Sequence, residues 1–399
     1  MESRVRHPKR NLYTASPSSV RHVNRSIVLS LIRTHEPVSR VALSEMTGMF
    51  RSNVSEIVDQ LIEDGLVREE RAVPVGRGRV PYNLSLNDDS LLVVGISIRQ
   101  STTTLALAGI SGRIQETDTF ETLADPVRQI REIRKAMLRL KRAARKDSAQ
   151  SIRECGVSFP GHVPAESGVI SWAPSLPSYT GFAFAEEMHH RLGVVTSCEN
   201  DCNLGALAEM WLCEEDIAGL NDFVFLEVGE VGLGGGIIIN RELYRGHDAD
   251  FIAEFGHMSL DPDGPLCPCG RSGCWELFVC DHTTWRRYDP GTPFTAARFQ
   301  RLLKAGPEEG GRPALLETAR FLSFGLANIA LAFNPEVVVL AGRITNAWDL
   351  IRHTVETAHG SANLKIRVRP ARLDAEQLFL HGAVHLALTR VFAKPRLGW

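Results

Sequence analysis

The chain has 399 residues, enough for two or three domains that each bury a core of their own. It is 44% hydrophobic and 23% charged, a globular composition, and no uninterrupted run of about eighteen apolar residues argues for a transmembrane helix. The net charge of −2 hides an asymmetry, because residues 1–86 hold 13 Lys/Arg against 9 Asp/Glu and residues 1–35 hold 7 against 1. A basic front on an acidic body fits a nucleic-acid-binding head, and the basic start lacks the apolar stretch of a signal peptide. The expected location is the cytoplasm, on the nucleoid when DNA is bound.

Residues 1–20, rich in Pro, Ser and basic side chains, are expected to be a disordered tail, and 21–86 a DNA-binding domain. Ile27, Val28, Leu31 and Ile32 recur at helical spacing over Asn24–Arg33. Pro37 ends that helix and Ser39 can cap the next, at about 39–47. Gly48 supplies a turn, and a third helix over 51–64 turns Val54, Ile57, Val58 and Leu61 inward before Gly65 stops it. Two helices about a Gly turn, with the small Ser44 between them, predict a helix-turn-helix. Arg51, Ser52, Asn53, Ser55 and Glu56 then face outward where a recognition helix meets base edges and phosphates. Val75–Pro81 followed by the alternating strand Tyr82–Leu86 predicts a two-stranded wing, whose slim glycine loop presents Arg77 and Arg79 to phosphates or a minor groove. A three-helix scaffold for protein contacts is the competing reading.

From Leu91 strands alternate with helices. Leu91–Ile98, Thr103–Ile110 and Arg113–Phe120 predict three strands, followed by a helix over 126–147 and a buried strand Ile152–Val157 that ends at Pro160-Gly161. A second cycle runs through Phe223–Val228, Gly235–Asn240, a helix near 314–333 and the strand Val337–Leu340. The expected architecture is α/β with two lobes about a cleft. Cys155, Cys198, Cys202, Cys213 and Cys280 are scattered and expected to be small buried apolar residues, whereas Cys267, Cys269 and Cys274 are clustered.

Several stretches of the body share a pattern: Cys198-Glu199-Asn200-Asp201 with Ala208-Glu209, Pro160-Gly161 with Ala173-Pro174-Ser175-Leu176, Glu254-Phe255-Gly256-His257, and Cys267-Pro268-Cys269-Gly270-Arg271-Ser272-Gly273-Cys274-Trp275-Glu276. On these motifs the chain resembles the ROK family (repressors, open reading frames and kinases) from about residue 20 to 392. The resemblance implies an N-terminal winged helix-turn-helix joined to a two-lobed actin-like, sugar-kinase (ribonuclease H-like) domain with structural zinc. Lobe 1 would span 91–197 plus a C-terminal helix at 378–392, and lobe 2 would span 198–377.

His257, Cys267, Cys269 and Cys274 offer one imidazole and three thiolates, the soft set of a closed tetrahedral zinc; a merely buried or reactive cysteine cluster is the alternative. By position in the family, Asn200, Asp201, Glu254 and His257 would grip a sugar, with Glu276 and the backbone of Gly161 nearby. Ser175 in place of the usual Asn, and His162 after Gly161, point to an unusual sugar. Asp201 stands where the family's kinases hold their catalytic base. Their nucleotide-binding DxGGT turn is replaced here by Ser97, Arg99 and Gln100, and Arg343 follows Gly342 where a glycine triplet is usual. Several lost phosphate contacts predict no kinase activity, leaving Asp201 vestigial. The expected protein is a repressor with a DNA operator and a sugar or sugar-derivative effector as partners, a homodimer or tetramer with no membrane association. A bifunctional sugar kinase and a zinc-responsive regulator are the competing readings.

Overall fold

The structure, a computed structural model, describes residues 17–71, 82–144, 152–164, 167–212, 220–246, 252–305, 310–361 and 364–392. Its contacts fall into two compact units: the chain up to Leu91 with Gly109–Ser111 and the residues from Thr389, and Leu92–Ala108 with Gly112–Leu388.

The first unit holds α1 (Pro17–His35), α2 (Arg40–Thr47), α3 (Arg51–Glu63) and an antiparallel pair, β1 (Val67–Arg71) and β2 (Tyr82–Leu86). Helix α1 begins at Pro17, so residues 17–20 of the expected tail are helical; proline is tolerated in a first turn because its missing N–H has no intrahelical partner there. Ser39 caps α2, its hydroxyl accepting from the Ala42 amide at 3.1 Å, and Gly48 ends α2 at φ 68°. The Ser44 hydroxyl donates to the Met49 carbonyl at 2.7 Å and so ties α2 to the turn after it. Val28, Ile32, Leu43, Val54, Val58, Leu61 and Leu84 are buried as the core. Arg40 joins α2 to α3 and β1 through Asp59 (2.7 Å) and Glu69 (2.8 Å). The expected loop with Arg77 and Arg79 lies outside the described residues.

The second unit repeats one topology. Strands β3 (Leu92–Ile98), β4 (Thr102–Ala108) and β5 (Ile114–Glu121) form an antiparallel meander, and β6 (Ile152–Phe159) and β7 (Val195–Asn200) extend it in parallel, in the order β5-β4-β3-β6-β7. Helices α4 (Pro126–Ala143) and α5 (Phe184–Leu192) make the crossovers. After α6 (Asp201–Leu212), the meander β8 (Phe223–Val228), β9 (Leu233–Ile239) and β10 (Glu242–Leu243) is extended by β11 (Val337–Gly342) and β12 (Val368–Pro370), in the order β10-β9-β8-β11-β12. Its helices are α7 (Glu276–Val279), α8 (Asp281–Tyr288), α9 (Ala296–Ala305), α10 (Arg312–Phe333) and α11 (Trp348–Thr357), and α12 (Ala375–Phe392) closes the described chain. The expected lobe boundary at Cys198 falls inside β7, and the expected C-terminal helix begins three residues earlier, at Ala375. Helix α10 is long and apolar enough to cross a membrane, but half of its apolar window is buried. Leu315, Ala319, Leu322, Leu326 and Ile329 pack with β8 and β11 in the core of the second sheet, which accounts for that composition.

Bare backbone lets α12 lie directly on the first sheet. A Cβ on Gly156 of β6 would stand 2.0 Å from the Ala383 carbonyl oxygen, and one on Gly95 of β3 2.7 Å from the Val384 amide. Gly156→Ala should therefore push α12 off the sheet, with a destabilisation at or above the upper end of the about 1–3 kcal/mol usual for overpacking. The check is the denaturant midpoint of the body; an unchanged midpoint would disprove this packing.

Candidate functional site

The carboxyl ends of β3, β6, β7 and β8 carry the polar residues of the second unit, the usual place for a ligand in an α/β sheet. At the end of β7, Asn200 Nδ2 donates to the Gly161 carbonyl at 3.0 Å, while its Oδ1 accepts from the Cys202 and Asn203 amides at 2.9 and 3.1 Å. Asn200 thus caps α6 and pins the Pro160-Gly161 corner. Glu199, buried just before it, accepts from the Asn200 amide and from Asn203 Nδ2, both at 3.0 Å, and pairs with Arg245 at 2.6 Å.

Asp201 opens α6 with its carboxylate already engaged. Oδ1 accepts from the Cys202 amide at 2.8 Å, and Oδ2 lies 2.7 Å from Arg99 Nη1. Arg99 Nη2 reaches Glu227 Oε1 of β8 at 3.2 Å, and the guanidinium lies over the Phe379 ring at 4.7 Å. Burial works against the charge on Arg99, but Glu227 and Asp201 outweigh it and hold the arginine cationic. Burial raises both acids, with Arg99 opposing the shift, and Glu254 adds a repulsion that raises Asp201 further. Ser97 is buried two residues earlier, in β3, and Gln100 lies in the β3–β4 turn. Arg343, after Gly342, pairs with the buried Asp281 at 2.9 Å and with Glu230 at 3.4 Å.

Glu254 leads from this pair of strand ends to a cysteine cluster. Its carboxylate meets His162 Nε2 at 2.8 Å and His257 Nε2 at 3.9 Å, and His257 Nδ1 lies 3.4 Å from Glu276 Oε1. His162 is held edge-on against Trp172, ring centroids 5.1 Å apart. The departure after Gly161, His162, is therefore in direct contact with Glu254.

The ligating atoms of His257, Cys267, Cys269 and Cys274 all lie within 4.8 Å of one another. His257 Nδ1 and Cys267 Sγ are 3.7 Å apart, and the sulfurs of Cys269 and Cys274 are 3.6 Å apart. Bonds of about 2.0–2.3 Å to a tetrahedral centre put neighbouring ligands about 3.5–3.8 Å apart, so the donor set and its spacing fit a metal ion. Burial pushes the Cys267 and Cys274 thiols up, while the Arg271 amide pulls Cys269 down; a bound cation is what converts such thiols to thiolates. The chain closes round this point through Cys267 N to Arg271 O and Leu260 N to Gly273 O, both 2.8 Å. Gly273 is at φ 63°, and a Cβ there would stand 1.6 Å from the Asp261 carbonyl oxygen, so only glycine fits. Trp275, fully buried, anchors the loop by donating from Nε1 to the Phe321 carbonyl of α10 at 2.9 Å.

In the first unit, Arg51, Ser52 and Asn53 are exposed and Ser55 is half-buried on the first turns of α3. One residue of the site, Glu227, and one contact, His162 to Glu254, escaped sequence reasoning. Glu227 is a carboxylate inside the apolar strand Phe-Val-Phe-Leu-Glu-Val, a pattern that demands a cation; His162 was noted but not its partner.

The model described as ROK family matches residues 93–388, well over half of the chain. A xylose repressor of Caldicellulosiruptor bescii is 28% identical over 94% of this chain and 98% of its own. A crystal structure of a ROK family transcriptional regulator, homolog of the E. coli MLC protein, superposes with a TM-score of 0.74 over 93% of this chain and 99% of that one, at 21% identity. A ROK family glucokinase from Streptomyces griseus, solved with glucose and AMPPNP, reaches 0.62 over 74% of this chain and 99% of that one, at 25% identity.

Protein purified without added metal should carry one thiophilic metal ion per chain, and Cys269→Ser should lose it with a lower Tm of the body. Metal content near zero in the unaltered chain would refute the cluster. Arg99→Ala should cost about 3–5 kcal/mol, because it leaves Asp201 and Glu227 buried without their cation. An unfolding midpoint within error of the parent would show that the ion triad does not exist.

Proposed function

The chain belongs to the ROK family, and from that footing we propose that it is a DNA-binding transcription repressor whose body binds a sugar and does not phosphorylate it. The observation that carries the second half is the Arg99–Asp201 pair. Asp201 has the position of a kinase base, yet one of its oxygens is held by a guanidinium and the other by a backbone amide. A base so engaged is poorly placed to take a hydroxyl proton. The guanidinium also holds a fixed positive charge at the carboxyl end of β3, where nucleotide phosphates and their magnesium would need open backbone. The glycine-rich stretch from Gly232 to Gly236, most of it in β9, favours the second reading, a bifunctional kinase, but it cannot by itself supply a catalytic base or a magnesium ligand.

Sugar recognition is assigned to Asn200, Asp201, Glu254, His257 and Glu276 with the backbone of Gly161. Carboxylates and an amide can each take adjacent hydroxyls, and sugars lacking one hydroxyl leave a buried acceptor unpaired. The relative named a xylose repressor makes xylose the first sugar to try. We assign the metal as zinc, held by His257, Cys267, Cys269 and Cys274 in a closed structural site. It would order the loop that carries His257 and, through Cys267 and Glu276, the sugar-facing acids.

The head is assigned as a winged helix-turn-helix. Helix α3 would enter the major groove with Arg51, Ser52, Asn53 and Ser55, and Arg77 and Arg79 would follow phosphates or a minor groove. Two such heads in a homodimer would read half-sites about one turn of DNA apart, roughly 34–36 Å. A sugar that binds one arrangement of the dimer better than the other would shift the balance and release the operator.

Calorimetry should show a sugar from a set of pentoses, hexoses and amino sugars binding without ATP–magnesium, with no sugar phosphate formed when ATP–magnesium is added. Asp201→Asn should weaken sugar binding about tenfold, through one lost charge-assisted hydrogen bond. Turnover of any sugar that disappears in the Asp201→Asn chain would establish the kinase instead.

A further inference from the structure

Phe50 is 81% exposed, the most exposed large apolar side chain among the described residues. It also occupies the N-cap of α3, with φ −60° and ψ 141° and no side-chain hydrogen bond to the helix. The Phe50 carbonyl still accepts from the Asn53 and Val54 amides at 3.0 and 3.2 Å, so the backbone starts the helix properly while the ring contributes nothing to it. A cap is where Ser, Thr, Asp or Asn would satisfy free amides. An exposed phenyl ring there is unfavourable twice over for the head alone, in lost capping and in apolar surface left in water.

The residues beside it define what the ring can meet. Arg51, Ser52 and Asn53 follow directly, all exposed, and the first turn of α3 holds no acidic residue. The helix N-terminus adds its own partial positive charge. The partner of this corner must therefore be anionic yet offer an apolar spot within reach of the same helix turn. A protein surface with that combination is uncommon, whereas duplex DNA presents it at every thymine, whose C5-methyl stands in the major groove between two phosphate chains.

We propose that Phe50 is a specificity-determining residue of the head, its ring packing on a thymine methyl at the edge of each half-site. This rests on the DNA-binding reading above. Arg51 and Asn53 then supply polar contacts to the neighbouring phosphates and base edges, while Phe50 selects T over C by an apolar contact that no hydrogen bond supplies.

The test uses the full chain and a library of random duplexes, selected in parallel with the unaltered protein and with Phe50→Ser, a change that restores a capping side chain. Phe50→Ser should keep or raise the Tm. The unaltered chain should enrich a motif with one thymine per half-site whose replacement by deoxyuridine, which lacks only the methyl, weakens binding about tenfold. Phe50→Ser should lose the preference at that position and be indifferent to deoxyuridine there, and Phe50→Leu should keep part of it. If Phe50→Ser selects the same motif with the same affinity, the proposal falls and the DNA-binding reading stands. Should the unaltered chain bind its motif equally well with deoxyuridine at every thymine, the methyl contact is wrong. No enrichment at all by the unaltered chain would overturn the DNA-binding reading and this proposal together, leaving the ring as a protein-docking residue.

Discussion

A single guanidinium joins the two sheets of the body at the point where chemistry would occur. Arg99 comes from the end of β3 in the first sheet, Glu227 from β8 in the second, and Asp201 from the start of the helix between them. Each carboxylate alone would be costly to bury, and burial does raise both. The arginine makes the pair tolerable, and in doing so it commits the acid at the head of α6 to an internal partner. One residue therefore serves the cohesion of the body and occupies the acid that the proposed function reads as a vestigial base. The same positions with glycine would leave Asp201 available and the space beside it open.

His257 belongs to two systems at once. Its Nδ1 faces Cys267 and Glu276, and its Nε2 faces Glu254, which in turn holds His162. A metal on the imidazole would fix the ring's tautomer and orientation, and so the direction in which Glu254 and Glu276 accept hydrogen bonds. Structural zinc carries an apparent binding energy of about 10–16 kcal/mol, as large as the whole stability of an ordinary domain, about 5–15 kcal/mol. The order of the acids would therefore follow the metal rather than the reverse.

What could be read beforehand was local. The cap at Ser39, the turn at Gly48 and the strand Tyr82–Leu86 each depend on residues a few positions apart, and each stands where spacing predicts it. The four metal-cluster residues were legible for a similar reason, since three lie within eight positions. The ion triad was not, because Arg99 finds its partners 102 and 128 residues away; from the sequence it was only a bulky residue where glycine was expected. The expected division at Cys198 falls within β7, which runs into α6 without a break, Asn200 ending one and Asp201 starting the other. Phe50 is illegible for another reason: a phenylalanine beside a helix start reads as core until the backbone puts it at an exposed cap.

The approach of α12 to the first sheet has a temporal meaning. The helix that covers Gly95 and Gly156 is made from residues 375–392, so the ribosome delivers it more than two hundred residues after the strands it seals. Until then one face of a finished-looking sheet is open, with Val93 and the bare backbone of Gly95 and Gly156 left in water and liable to pair with another chain. The same helix also reaches the first unit, where the Ser26 hydroxyl donates to the Phe392 carbonyl 366 residues on, so that unit too is completed late. A chain stalled or cut short of residue 375 would carry an unsealed first sheet and lack the segment from Thr389 that belongs to the first unit.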